Sequence, residues 1–332
     1  MTAVDMVEVW RGDFLESVHQ GHAVICDARG DVVEAWGDPS AVILPRSSAK
    51  MIQALPLIES GAAARAGLTP AHLALACASH NGQSIHTEPV RRWLSDLGLD
   101  QAALRCGPQP PDLAADRQAL RDARKIPDQT HNNCSGKHSG FLTLGQHLGA
   151  GPDYIDPDHP VQRAVRAAFE DMTGADKLGF AIDGCSAPNF ACSLKGLATA
   201  MAQFASAAGG ASSRDQAATE LWQAMSQHPD LVAGDGRACT RIMTIAGPRA
   251  VVKTGAEGVF VAILPELGLG VALKIADGAT RASDVAITSL LARLGIFDAA
   301  DPRVQALMTP VIRNRRDVIT GRLSPSGTVL TL

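Results

Sequence analysis

Aromatic side chains make up only 4% of the 332 residues, and tyrosine occurs once. That scarcity excludes the base-stacking platform on which single-stranded nucleic acids are held. Runs rich in lysine and arginine are also missing, and the formal net charge is −4, so a nucleic-acid partner has no electrostatic footprint. An anionic small molecule would need local positive charge, because the chain as a whole supplies none. Nowhere do about 18 uncharged apolar residues follow one another, which excludes a transmembrane helix. Residues 1–14 carry Asp5, Glu8 and Asp13 and lack an apolar core, so no signal peptide is predicted. The seven cysteines (Cys26, Cys77, Cys106, Cys134, Cys185, Cys192 and Cys239) are odd in number and scattered. Without a secretory signal they predict reduced thiols, some buried and two open to a metal. The Gly268-Leu269-Gly270 turn has no third, helix-opening glycine and is not a nucleotide loop. What is present suits a folded, soluble protein: 46% hydrophobic and 19% charged residues, in a chain long enough for one large domain or two lobes.

Strand character marks 7–10, 16–26 and 32–36, with Arg29-Gly30-Asp31 as the turn between the last two. Beyond Pro45 the period changes, and 48–60 places Ile52, Leu55 and Ile58 on a helix. Helices are also predicted over 88–97, 161–172, 193–207, 221–227 and 282–294, and the small residues of 206–214 read as a surface loop. Strands return at 250–253, 259–264 and 270–275. This order predicts an α/β protein of the α+β type, one two-lobed unit over 1–332. A sheet lobe draws on both chain ends, 1–45 and 235–332, and a helix-rich lobe, 46–234, is inserted between them.

Three short motifs carry chemistry. In Pro45-Arg46-Ser47-Ser48-Ala49-Lys50 a helix opens, and Ser47 and Lys50 stand three residues apart on one face. A serine there lies at the positive end of the helix dipole. A lysine whose pKa is lowered by desolvation or by a second cation can take its proton. The plain alternative is a helix cap with a solvated lysine, since Ser-x-x-Lys recurs by chance. In Cys77-Ala78-Ser79-His80-Asn81-Gly82, Ser79 can relay a proton and Asn81 can hold an amide; the alternative is a polar turn. In Val251-Val252-Lys253-Thr254-Gly255 a lysine leaves a strand beside a glycine that permits close approach of a ligand; the alternative is a surface strand ending in a turn. The order Ser-x-x-Lys, Ser-x-Asn, Lys-Thr-Gly is that of the serine β-lactamases and penicillin-binding proteins.

Two further clusters, His131-Asn132-Asn133-Cys134-Ser135-Gly136-Lys137-His138 and Asp183-Gly184-Cys185-Ser186-Ala187-Pro188-Asn189, each hold one cysteine among polar residues. Thiolates suit zinc; the alternative is a pair of ordinary loop thiols. Taken with the three motifs, and extended by Lys253-Thr254-Gly255-Ala256-Glu257-Gly258, these segments resemble the rhizobial-type (class 3) L-asparaginases over nearly the whole chain. The resemblance implies a serine β-lactamase-like fold, shared with glutaminases, whose antiparallel sheet from both chain ends is flanked by helices. It implies a cytoplasmic homodimer that hydrolyses L-asparagine to L-aspartate and ammonia. It also implies a zinc ion on Cys134, Cys185 and Lys137, which requires a lysine of depressed pKa. Two Ser-Lys pairs map onto Ser47 with Lys50 and Ser79 with Lys253, and the active-site aspartate onto Asp183.

On that basis Ser47 is the expected nucleophile, Lys50 its base beside Lys253, and Ser79 the link between the lysines. Arg46, His80, Asn81, His138 and Asp183 are the expected substrate-lining residues, with Asp183 on the α-ammonium and Arg46 near the α-carboxylate. Two alternatives keep the serine chemistry: a glutaminase and a β-lactamase-like amidohydrolase. A third, of another class, is a non-catalytic zinc or amino-acid binding protein built on Cys134 and Cys185.

Overall fold

The computed structural model describes residues 2–176 and 178–327. Among them are twelve strands. The first seven are β1 (Val4–Arg11), β2 (Phe14–Asp27), β3 (Val32–Trp36), β4 (Val42–Ile43), β5 (Phe180–Ile182), β6 (Pro188–Phe190) and β7 (Cys192–Ser193). The last five are β8 (Val251–Thr254), β9 (Val259–Leu264), β10 (Leu269–Ile275), β11 (Val311–Arg313) and β12 (Ile319–Pro325). The chain forms two compact units, one holding the described residues of Met1–Ser48, Cys192–Ser206 and Arg241–Leu332, the other Ala49–Ala191 and Ala207–Thr240.

The first unit is a mixed sheet-and-helix body. Eight strands form one antiparallel sheet in the order β11-β12-β1-β2-β10-β9-β8, with β3 also on β2. The long β2 makes this possible. Its first half pairs with β1, and its second half pairs with β10 on one side and β3 on the other. Every residue of β9 is buried. Successive strand side chains point to opposite faces, so both faces of the sheet are covered there. The helices Leu194–Ser206 and Thr280–Arg293 pack on this part of the sheet. Gly270 sets the closeness of the first of them: a Cβ there would collide with the Ala198 carbonyl oxygen and the Ala202 amide nitrogen.

The second unit is helical. Its centre, the helix Lys50–Glu59, is buried without interruption from Lys50 to Leu57, as a helix enclosed on all sides must be. It packs against the helices Ser135–His147, Pro160–Thr173 and Ser213–Gln227. Ser135–His147 is buried from Ser135 to Gly145 although its first turns are polar. Ser139 and Thr143 each return their hydroxyl to a carbonyl one turn back, at 3.0 and 2.9 Å. A Cβ at Gly136 would strike the Leu75 carbonyl oxygen, so this helix meets Pro70–Ala76 backbone to backbone. A short hairpin, β5 with β6, completes the unit.

Several boundaries differ from those read in the sequence. The expected helix-rich segment 46–234 contains Cys192–Ser206, which instead belongs with the sheet, because its small face at Ala198 and Ala202 seats against Gly270. Residues 46–48 likewise join the sheet unit, and 235–240 the helical one. The predicted 221–227 helix begins earlier, at Ser213, where Ser212 and Asp215 form a capping box. Ser135–His147 carries no apolar period, and β11 and β12 were not anticipated as separate strands. If the Gly270 contact sets the packing of Leu194–Ser206, Gly270→Ala should destabilise the protein by about 1–3 kcal/mol. Gly151→Ala, with nothing within 4 Å of its added Cβ, should leave the thermal midpoint unchanged.

Candidate active site

The residues singled out in the sequence fall into two groups, one in each unit. In the sheet unit, Arg46 and Ser47 lie in a 3-10 turn, Arg46–Ala49, which leads into the helix Lys50–Glu59. Arg46 has φ 54°, a left-handed conformation that costs a non-glycine residue about 1–2 kcal/mol. The serine doublet divides its labour. Ser48 is buried and donates its hydroxyl to the Pro45 carbonyl at 2.7 Å, while Ser47 is half-buried. Lys253 lies on the edge strand β8, fully buried, with Nζ donating to the Thr254 carbonyl at 2.8 Å. Gly255 follows it for a reason the sequence did not disclose. A Cβ there would stand 2.5 Å from the Pro45 carbonyl oxygen and 3.3 Å from the Ser48 amide nitrogen. The backbone that approaches this glycine is therefore the serine turn of the same unit, where a ligand was expected.

In the helical unit a chain of amines, hydroxyls and sulfurs is buried together. Lys50, 1% exposed, donates from Nζ to the Ala78 carbonyl, to Ser79 Oγ at 3.1 Å and to Cys134 Sγ at 3.1 Å. Ser79 is buried, its amide donating to the Val232 carbonyl at 2.9 Å. The lysine found on Ser79 within this unit is thus Lys50. Cys134 caps the Ser135–His147 helix, its amide held by Asn132 Oδ1 at 2.9 Å and its sulfur 3.1 Å from Asn133 Oδ1. One turn on, Lys137 Nζ reaches Cys185 Sγ at 3.1 Å and lies 5.3 Å from the centre of the Phe141 ring.

Cys185 sits at the tip of the β5–β6 hairpin. The Asp183 amide donates to the Ala187 carbonyl at 2.9 Å and the Ser186 amide to the Asp183 carbonyl at 2.8 Å, with Ser186 at φ 70°. This is the three-residue loop whose last position usually takes glycine; here a serine occupies it, and the strained residue directly follows the candidate ligand. Asp183 is half-buried and accepts the Gly184 amide at 2.6 Å.

A hydrogen bond between the side chains of Cys134 and Cys185 drives their pKa values in opposite directions. Cys185 is held far below the usual thiol range, first by that bond, against burial, and further by Lys137 and His138. Cys134 is pushed well above it by the same bond and by burial. Burial works to lower the Lys137 pKa, but the charges of Cys185 and Cys134 outweigh it and raise it above the ordinary lysine value. Ligation of a metal by Lys137 requires the amine to give up its proton against this field. His138 is fully buried, and burial lowers its pKa to about 4. Its Nδ1 faces the Tyr154 hydroxyl at 2.9 Å, while Nε2 lies buried without an oxygen or nitrogen partner, against Cys185. Among the described residues no three His, Cys, Asp or Glu side chains group to hold a metal. The donors are two sulfurs, soft ligands that suit zinc as thiolates, and an amine, with the buried Nε2 of His138 beside them.

His80 and Asn81 have framework duties. His80 is fully buried, accepts the Gly82 amide on Nδ1 at 3.1 Å, and so donates from Nε2 to Ser135 Oγ at 2.9 Å. Burial, and next its stacked neighbour His86, hold its pKa well down. Asn81 donates to the Asp235 carbonyl at 2.9 Å and accepts from Arg237 at 3.1 Å. Both side chains, expected against a substrate, are engaged within the fold. Tyr154 was missed because it stands alone in a loop without period; its being the only tyrosine was the one available signal.

The sequence profile of the L-asparaginase II family matches residues 7–325. No curated protein matches the chain. Among solved structures the chain is similar to a candidate β-lactamase from Bacteroides dorei, at 10% identity over 77% of this chain and 84% of that one, with a TM-score of 0.42. It is also similar to a β-lactamase from Mycobacterium bovis, at 13% identity over 82% and 94%, with a TM-score of 0.33. Likenesses this low transfer no chemistry.

The electrostatics give a direct optical test. Cys185 should be a thiolate at neutral pH in the metal-free protein, whereas burial pushes Cys106 and Cys192 up to about 12. A thiolate absorbance band in the ultraviolet is expected near neutrality and should vanish in Cys185→Ser. A band that grows only as the pH passes the ordinary thiol value of about 8.5 would contradict the assignment.

Proposed function

The chain belongs to the L-asparaginase II family, which makes it an asparaginase-type amidohydrolase, and from that premise we propose that it hydrolyses L-asparagine to L-aspartate and ammonia through a serine ester. Ser47 Oγ attacks the side-chain amide carbon as Lys50, three residues on, removes its proton. The tetrahedral oxyanion rests on backbone N–H groups at the start of the helix. Its collapse breaks the C–N bond, the nitrogen leaves as ammonia after receiving a proton by way of Ser79, and water then cleaves the aspartyl ester to release L-aspartate and the serine. Lys253 is the second amine of the pair of Ser-Lys motifs. Arg46 and Asp183 take the α-carboxylate and α-ammonium, and His138 borders them. The observation that supports this reading most strongly is the buried Lys50 Nζ to Ser79 Oγ contact of 3.1 Å. It gives the base a hydroxyl partner along which a proton can move.

Cys134, Cys185 and Lys137 would hold zinc, which when bound supplies a Lewis acid that positions or polarises the substrate. The buried sulfur pair and the adjacent amine support that assignment. The chain's own residues do the rest: serine supplies the nucleophile and lysine the base. The same reading includes a cytoplasmic homodimer. Among the described residues no helix is long and apolar enough to cross a membrane.

Ammonia release from asparagine is the deciding assay. Ser47→Ala should lower kcat at least about a thousandfold, as loss of a serine nucleophile does elsewhere, whereas Ser48→Ala, which removes only the bond to Pro45, should retain turnover. Near-wild-type activity in Ser47→Ala would sink the nucleophile assignment. Removing zinc should raise KM more than it lowers kcat, the signature of lost substrate positioning; unchanged KM and kcat in a metal-free preparation would remove zinc from the reaction.

A further inference from the structure

The groups of the helical unit that the reaction would use are shut in. Lys50, Ser79, Cys134, Lys137 and Cys185 are each at most 4% exposed, so a substrate reaches them only if a covering segment moves. Residues 107–127 are the segment most weakly held to that unit. From 107 to 127 only Pro111 is buried. The helix within it, Ala114–Asp122, has no buried residue and, among the described residues, packs closely on no other helix or strand. A cavity of about 730 Å³ lies between it and the helix Ser84–Asp96, lined by Asp116, Leu120 and Ala123 on the one and by Thr87 and Arg91 on the other. Few buried contacts and low packing density mark the parts of a protein that open most readily. At the start of the segment Gly107, at φ 76° with nothing within 4 Å of an added Cβ, can absorb backbone rotation. Arg124, left-handed at φ 51° just past the helix, marks the other end.

The hold on this segment is a strap, 107–112, laid on the two loops that carry Ser79 and Cys134. The Asp112 amide donates to the Asn81 carbonyl at 2.9 Å, the Asn133 amide to Gln109 Oε1 at 3.3 Å, and Asn132 Nδ2 to the Gly107 carbonyl at 3.0 Å. Arg237 closes the strap: its Nη1 donates to Asn81 Oδ1 at 3.1 Å and to Asp112 Oδ2 at 3.2 Å. The Arg237 and Asp112 side chains are 32% and 41% exposed, and an ion pair open to water is weak and parts easily. We propose that 107–127 is a hinged lid on the helical unit, latched by Arg237 to Asp112 and Asn81, whose opening admits the substrate to the loops of Ser79 and Cys134. That the lid gates amide hydrolysis rests on the function proposed above; the motion and its latch do not.

Hydrogen–deuterium exchange of the full chain, read peptide by peptide, tests the motion. Amides of 107–127 should exchange at least about 100-fold faster than those of Lys50–Glu59. Arg237→Ala should speed exchange over 107–113 a further two- to fivefold or so, the worth of an exposed ion pair, and leave Lys50–Glu59 unchanged. The gate is tested by tying the latch shut. The seven native cysteines are buried, so a reducible bifunctional thiol reagent can bridge the double variant Asp112→Cys, Arg237→Cys. Ammonia release from L-asparagine should be lost on bridging and return on reduction. A bridged enzyme as active as the unbridged one overturns the gate. Exchange over 107–127 as slow as in Lys50–Glu59, or unchanged by Arg237→Ala, overturns the lid; should the variants fail to fold, the wild-type exchange still decides. A wild type that releases no ammonia would refute the reading of the reaction, while the exchange data would still decide the lid.

Discussion

Two lysines buried among sulfurs govern the helical unit. Lys50 and Lys137 are 1% and 4% exposed, and a buried amine is tolerated only where acceptors surround it. The acceptors come from several places in the chain: the carbonyl of Ala78, the hydroxyl of Ser79, Cys134 at a helix start and Cys185 at a hairpin tip. Each element must therefore be placed to within hydrogen-bond tolerance. Gly136 lets the Cys134 helix touch the helix that precedes Ser79, and Ser186 accepts a left-handed backbone to turn Cys185 inward. Packing and chemistry are in this sense one requirement.

Most polar groups near the site serve the structure itself. His80 binds Ser135 and Gly82, Asn81 binds Asp235 and Arg237, and Ser48 closes its own turn. A fully satisfied buried network is rigid, and one with a missing partner is costly. The consequence for function is selectivity of role. Of two adjacent serines only Ser48 is spent on the turn, and of the two nitrogens of His138 only Nδ1 is spent on an oxygen or nitrogen partner. Ser47 and His138 Nε2 take no part in these bonds. Gly255 shows the same economy of space, since the strand bearing Lys253 reaches the serine turn only because no Cβ intervenes.

The amidohydrolase class comes from the family to which the chain belongs, and two residues that flank the candidate site residues are strained. The strain is local and specific. Arg46 immediately precedes Ser47 and Ser186 immediately follows Cys185, and both have positive φ. Strain of that kind persists where surrounding structure over-determines a conformation, and it gathers at functional sites.

Sequence alone determined what was periodic or dense. The strand character of β2, the continuous apolar run of β9, the apolar face of the helix after Pro45, and the clustering of serine, lysine and cysteine in short motifs were all legible. So was the return of strand character at both chain ends, which pointed to one sheet built from the two. Tertiary structure decided the rest. Ser135–His147 is a core helix without an apolar period, because its hydroxyls bond back to its own carbonyls and glycine replaces bulk at the contact. Leu194–Ser206 joins the sheet unit because Gly270 leaves room for it. Which hydroxyl meets Lys50 in the helical unit, which serine is spent on the turn, and the contact of the lone Tyr154 with His138 all depend on distances between residues far apart in sequence. No local pattern encodes those distances, since they are set by which backbones can approach and which buried donors must find an acceptor.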